Sequence, residues 1–89
     1  MMSQYKLLLQ GILTDRILVY RTANHFTQEQ MAELLRISPR SYFDIEHGKY
    51  CCSAITLIFF MLILSKAEVL DFLDEFRKRA ERKDTDDVA

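Results

Sequence analysis

The sequence predicts an all-α domain of five helices, at about 4–24, 28–36, 39–47, 54–64 and 66–82. Three observations lead there. Only 2 glycines and 1 proline punctuate 89 residues, whereas sheet proteins need turn residues every few positions. Helix-capping residues stand ahead of four of the segments, and apolar residues recur at helical spacing in the first and last. With 49% hydrophobic and 28% charged residues, the composition is globular and sized for a single core.

In chain order, the first helix carries an apolar stripe of Tyr5, Leu9, Ile12, Leu13, Ile17 and Tyr20, with Gly11 as a point of bending or splitting. The second starts at a capping box, Thr27 with Gln30, and Phe26 is placed to staple onto Met31. Ser38 caps the third ahead of Pro39, whose missing N–H costs nothing at a first helical position, and Gly48 ends it. Ser53 caps the fourth, which is apolar nearly all round from Ile55 to Leu64. Ser65 and Glu68 form a second capping box. The fifth helix is amphipathic, with Val69, Leu70, Leu73, Phe76 and Ala80 expected on its inner face. The domain is expected to span 1–83, followed by a frayed, charged tail at 84–89.

Several function classes drop out. A net charge of −1 and a pI near 6.1 give no overall basic field, so any nucleic-acid site must be local. Cys51 and Cys52 are adjacent and staple nothing; they read as buried, reduced thiols. The N-terminus lacks the features of a secretory signal, and the longest apolar run is well short of a membrane span, so a cytoplasmic, non-membrane protein is expected. Neither His25 nor His47 has a second ligand at metal-binding spacing, and no nucleophile–base grouping or phosphate-cradling loop occurs. No metal, cofactor, small-molecule ligand or enzymatic activity is expected. The mixed-charge stretch from Arg77 to Lys83 reads as a solvated helix face, with nonspecific attraction to DNA as the other possibility.

The informative segment is 27–48: two short capped helices joined at Ile37-Ser38. Ala32 is small where the helices cross. Tyr42 and Ile45 face inward with Leu35 and Ile37, leaving Arg40, Ser41, Phe43, Asp44 and His47 outward. A second helix braced from behind, with a free outer face, is what a helix-turn-helix needs to enter a major groove. Asp15-Arg16-Ile17, Tyr20-Arg21, Phe26-Thr27-Gln28, Met31-Ala32, Leu35, Ile37-Ser38-Pro39, Ile45-Glu46 and Gly48-Lys49 together resemble the Cro/repressor (Xre-like) helix-turn-helix family over roughly 15–64.

The resemblance implies a compact, lambda-repressor-like domain with an N-terminal helical extension and a long C-terminal amphipathic helix. It implies a sequence-specific, double-stranded-DNA-binding transcriptional regulator, repressor-like, with 39–47 as recognition helix. Gln28 matches a glutamine that grips a phosphate, and Thr27 opens the same helix. Arg40, Ser41 and Asp44 match base-reading positions, and Pro39, which cannot donate, stands where the family frequently has a polar base-reading side chain. His47 and Lys49 match phosphate-side positions. Arg21 and Glu46 match an internal salt bridge.

The chemistry agrees independently: an Arg40 fork suits guanine O6 and N7, worth about 1–3 kcal/mol of discrimination, and Asp44, an acceptor only, suits a cytosine amino group. Ser41 suits either a base or a phosphate. Phe43 is expected to pack on protein, with a thymine methyl as the other possibility. Arg36 and His25 replace common turn glycines, which implies a strained turn or a different cap. Across 27–49, Arg36, Arg40 and Lys49 face Glu29, Glu33, Asp44 and Glu46, so an alternative is a protein–protein interaction module on the same scaffold. The apolar excess of the fourth and fifth helices, with the first contributing, predicts a homodimer.

Overall fold

The computed structural model describes residues 4–49 and 51–88, with side chains as far as Thr85. Its five helices are α1 (Gln4–Ala23), α2 (Gln28–Leu35), α3 (Pro39–Glu46), α4 (Ala54–Ile63) and α5 (Lys66–Val88). Helix α1 runs unbroken through Gly11, where an added Cβ would meet nothing within 4 Å, so this glycine neither splits the helix nor admits a neighbour.

Local chemistry fixes the boundaries. Thr27 Oγ1 accepts from the Gln30 N–H at 3.1 Å, and the Gln30 side chain accepts from the Thr27 N–H at 2.8 Å. Ser65 and Glu68 exchange the same pair of bonds, at 3.1 and 2.9 Å, ahead of α5. Ser38 and Ser53 cap α3 and α4 through the N–H groups of Ser41 and Thr56. These caps satisfy donors that a helix start otherwise leaves open. At the other end of α2, Arg36 adopts φ 60°, ψ 41°, a left-handed conformation that ordinarily favours glycine. Its N–H reaches Ala32 O and Glu33 O, and its guanidinium lies 4.1 Å from the centroid of the Phe59 ring, so the strained cap is fastened to α4. His25 (φ 57°) and Gly48 (φ 70°) make the other left-handed turns.

The core joins Ile12, Leu13 and Ile17 of α1 to Met31, Ala32 and Leu35 of α2, Tyr42 and Ile45 of α3, Phe60 of α4 and Phe72 of α5. Helix α2 packs on both α3 and α4, and α1 lies against α3 and α5. The ring of Phe60 meets Tyr20 edge-on at 6.2 Å. Thr56, the polar interruption of the α4 run, is buried, its hydroxyl 3.0 Å from the capping Ser53 hydroxyl.

Two expectations need correction. The inner face of α5 is Val69, Phe72, Phe76 and Ala80; Leu70 and Leu73 point away from the core. Both stripes have helical spacing; the larger Phe72 takes the core position, and Arg16 of α1 binds Asp71 at 2.9 Å and Glu75 at 2.5 Å beside it. Helix α5 also continues to Val88, past the end expected at 82, and the Tyr5 hydroxyl donates to Asp84 there. Ala89, the end of the expected tail, and residues 1–3 of the domain lie outside the described residues.

Phe60→Ala is expected to lower stability by about 3–5 kcal/mol, since it empties the junction of α1, α2 and α4. Urea unfolding followed by circular dichroism measures the loss.

Candidate nucleic-acid interface

Helix α3 is held from behind by one carboxylate. Glu46 Oε2 accepts from Arg21 Nε at 2.8 Å and from the Tyr42 hydroxyl at 2.5 Å. Its Oε1 accepts from the second arm of Arg21 and from Gln28 Nε2, both at 3.0 Å. Four side chains from α1, α2 and α3 thus meet at one point, and the Glu46 side chain is only 8% exposed. Arg21 also donates to Phe26 O at 3.2 Å, tying the node to the turn before α2. Burial would raise the Glu46 carboxyl, but the bonds from Tyr42, Arg21 and Gln28 outweigh it and hold it below its ordinary 4.5. The Tyr42 hydroxyl is driven up, by burial first and by the neighbouring carboxylate second.

The C-terminal end of α3 has its own braces. Thr14 Oγ1 donates to Ile45 O at 3.3 Å and Gln10 Nε2 to Gly48 O at 2.8 Å. These bonds satisfy carbonyls that a helix end leaves open and seat α3 on α1.

The opposite flank of α3 carries the remaining candidate residues. Pro39 is exposed at the first helical position, and the Arg40 side chain is 78% exposed. Ser41 uses its hydroxyl locally, accepting from Ser38 Oγ at 3.0 Å. Asp44 is 18% exposed and flanked by two cations, Arg40 Nε at 3.4 Å and Lys49 Nζ at 3.5 Å. The His47 ring stacks on Phe43, 3.9 Å between centroids, and Nδ1–H donates to Phe43 O at 2.9 Å, leaving Nε2 toward the outside. Lys49 Nζ lies 5.7 Å from the centroid of the Phe43 ring. Phe43 therefore stacks on His47 and lies near the Lys49 ammonium while staying partly exposed.

Thr27 is occupied as a cap, so what it brings to this surface is a helix start whose first N–H groups have no partner within the helix. Gln28 joins that start to the end of α3 through Glu46. The structure thus collects Gln28, Arg40, Asp44, His47 and Lys49 around one helix, while Arg21 and Glu46 lie behind it. Gln10, Thr14 and Tyr42 were not marked as positioning residues in the sequence; for Tyr42 the signal was a tyrosine one turn before a glutamate, at helical i,i+4 spacing.

Residues 17–60 match the helix-turn-helix family model, which spans α2, α3 and the turn between them together with most of α4. This segment belongs to the Cro/repressor-type helix-turn-helix family found in Xre-like regulators. Neither the curated proteins nor the solved structures include a match. The family is one of DNA-binding regulators rather than enzymes. Among the described residues no helix is long and apolar enough to cross a membrane, and no three His, Cys, Asp or Glu side chains are grouped to hold a metal ion. Cys51 and Cys52 are free and partly buried before α4, and burial pushes the Cys52 thiol up to about 11, which makes it a poor nucleophile.

Because Glu46 titrates lower in the folded chain, its stabilising contribution is complete above about pH 4.5 and is lost as pH falls through the lowered value. Glu46→Ala is expected to cost about 3 kcal/mol at neutral pH, leaving Arg21 and Tyr42 without their partner. Glu46→Gln is expected to flatten the acid limb of the stability profile, which thermal unfolding between neutral pH and the acid limb records.

Proposed function

We propose that this chain is a dimeric, repressor-like transcriptional regulator that reads a short operator with α3 in the major groove. The observation that carries the reading is the division of α3 into two flanks. The inner flank is locked by the Glu46 node, and the outer presents Arg40, Asp44, His47 and Lys49 to whatever approaches. Arg40 is the base reader for guanine, and Asp44 takes a base-edge amino group. Gln28, the helix start of α2, His47 and Lys49 take phosphates, which fix register without reading sequence.

A second copy completes the site. Ile55, Ile58 and Leu62 of α4 and Leu70 and Leu73 of α5 are between 44% and 71% exposed, and an apolar groove of about 410 Å³ lined by Met61, Leu62, Leu64, Val69 and Leu70 runs between the two helices. A patch of this kind on a small domain marks a protein contact. Pairing two copies there supports a two-fold protein with two recognition helices about one DNA turn apart, roughly 34 Å.

The second reading, a protein–protein interaction module, is favoured by one feature: Asp44 offsets both Arg40 and Lys49 within the flank itself.

Binding to mixed genomic fragments across a salt series separates the two. A DNA reader loses affinity steeply as salt rises, because phosphate contacts release counterions. Arg40→Ala is expected to relax preference at one base position at a cost of about 1–3 kcal/mol, whereas Gln28→Ala weakens all sequences alike. No retained DNA at low salt assigns the flank to a protein partner. Sedimentation at micromolar concentration is expected to give a dimer, and monomer alone contradicts the pairing through α4 and α5.

A further inference from the structure

We propose that Asp44 holds down the protein's affinity for DNA of the wrong sequence, by cancelling Arg40 and Lys49 on the protein's own surface. This inference rests on the DNA-binding reading and adds to it how that surface rejects most sequences.

Asp44 sits at the root of the outer flank, and both cations close over the same oxygen, Oδ1, at 3.4 and 3.5 Å. That oxygen is shut off from solvent and makes no hydrogen bond among the described residues. It therefore holds the two cations by charge rather than by directed bonds, an arrangement that a better partner can undo. Lys49 is kept near by a second tie, its backbone N–H on Asp44 O at 2.9 Å. The charged groups on this flank are Arg40, Asp44 and Lys49, with His47 beside them, so removing the one carboxylate changes the local charge by a full unit.

Mixed-sequence DNA offers Arg40 and Lys49 phosphates in place of Asp44, but at most registers it also brings the carboxylate against base-edge acceptors, guanine O6 and N7 and thymine O4. A carboxylate set against acceptors discriminates by penalising the wrong partner, which complements the attraction that selects the right one. A cytosine or adenine amino group facing Asp44 supplies the donor that frees both cations for the DNA. Selectivity and a low background affinity then come from one side chain.

The test uses the full chain and a fluorescent duplex of mixed sequence, titrated by anisotropy over a salt series. Asp44→Asn, which keeps the shape and removes the charge, is expected to bind this duplex about tenfold more tightly at low salt. Its log–log salt slope is expected to steepen by roughly 1–2, since each recovered phosphate contact contributes about 0.9. Asp44→Ala gives the same gain, and the gain disappears when Arg40 and Lys49 are also replaced by alanine. Circular dichroism verifies that each variant folds. Wild-type affinity exceeded by neither Asp44 variant, with an unchanged slope, overturns the inference and leaves the DNA reading standing. Failure of the wild type and both variants to retain DNA at low salt overturns the two together.

Discussion

The bidentate pair between Arg21 and Glu46 is the constraint on which the rest of this structure depends. It joins the last helical residue of α3 to α1 with bonds of 2.8 and 3.0 Å, and Tyr42 and Gln28 close the same carboxylate from the other sides. A charge this well buried is stable only when every lone pair is engaged, and here the donors come from three separate helices. Apolar packing alone would set the depth of α3; the node also sets its rotation about its own axis. That rotation decides which residues face outward, so the geometry of the recognition surface originates on its hidden side.

The outward surface is unusual for a DNA-binding helix because it is nearly balanced in charge. Arg40 and Lys49 are present but share Asp44, and the whole chain carries a formal charge of −1. Long-range attraction to a polyanion is therefore weak, and in the proposed DNA complex affinity comes from short-range fit and from the helix starts of α2 and α3. The proposed dimer, with two recognition helices acting together, suits such a surface, since linking two modest contacts raises affinity without any new one. The exposed leucines and isoleucines of α4 and α5 give the fold a place to make that link.

Much of the fold was legible because helix ends are written in short local codes. Thr27 with Gln30, Ser38 before Pro39, Ser53, and Ser65 with Glu68 each placed a helix start within a residue of where it lies. Helix faces were less legible. On α5, Leu70 and Leu73 competed with Phe72 for the core, and the face that won meets α1, a helix more than fifty residues away, where Arg16 also reaches Asp71 and Glu75. The end of α5 was missed because charged residues read equally as tail or as solvated helix. At the interface, the residue types pointed to the outer flank. The Arg40–Asp44 pair has i,i+4 spacing and was open to local reading, but local patterns could not reveal that Gln28 spends a donor on Glu46, or that Lys49 shares the same Asp44 oxygen, because both are meetings beyond one helix.

Amide resonances of the full chain, followed by NMR while a DNA duplex is added, report most directly whether the braced helix presents its free flank to nucleotides. Perturbations concentrated at 28–29, 40–44 and 47–49, with Tyr42 and Glu46 retaining their protection from exchange, are the expected result. Perturbations confined to Ile55, Ile58, Leu62 and Leu70, or none at all at low salt, would contradict it.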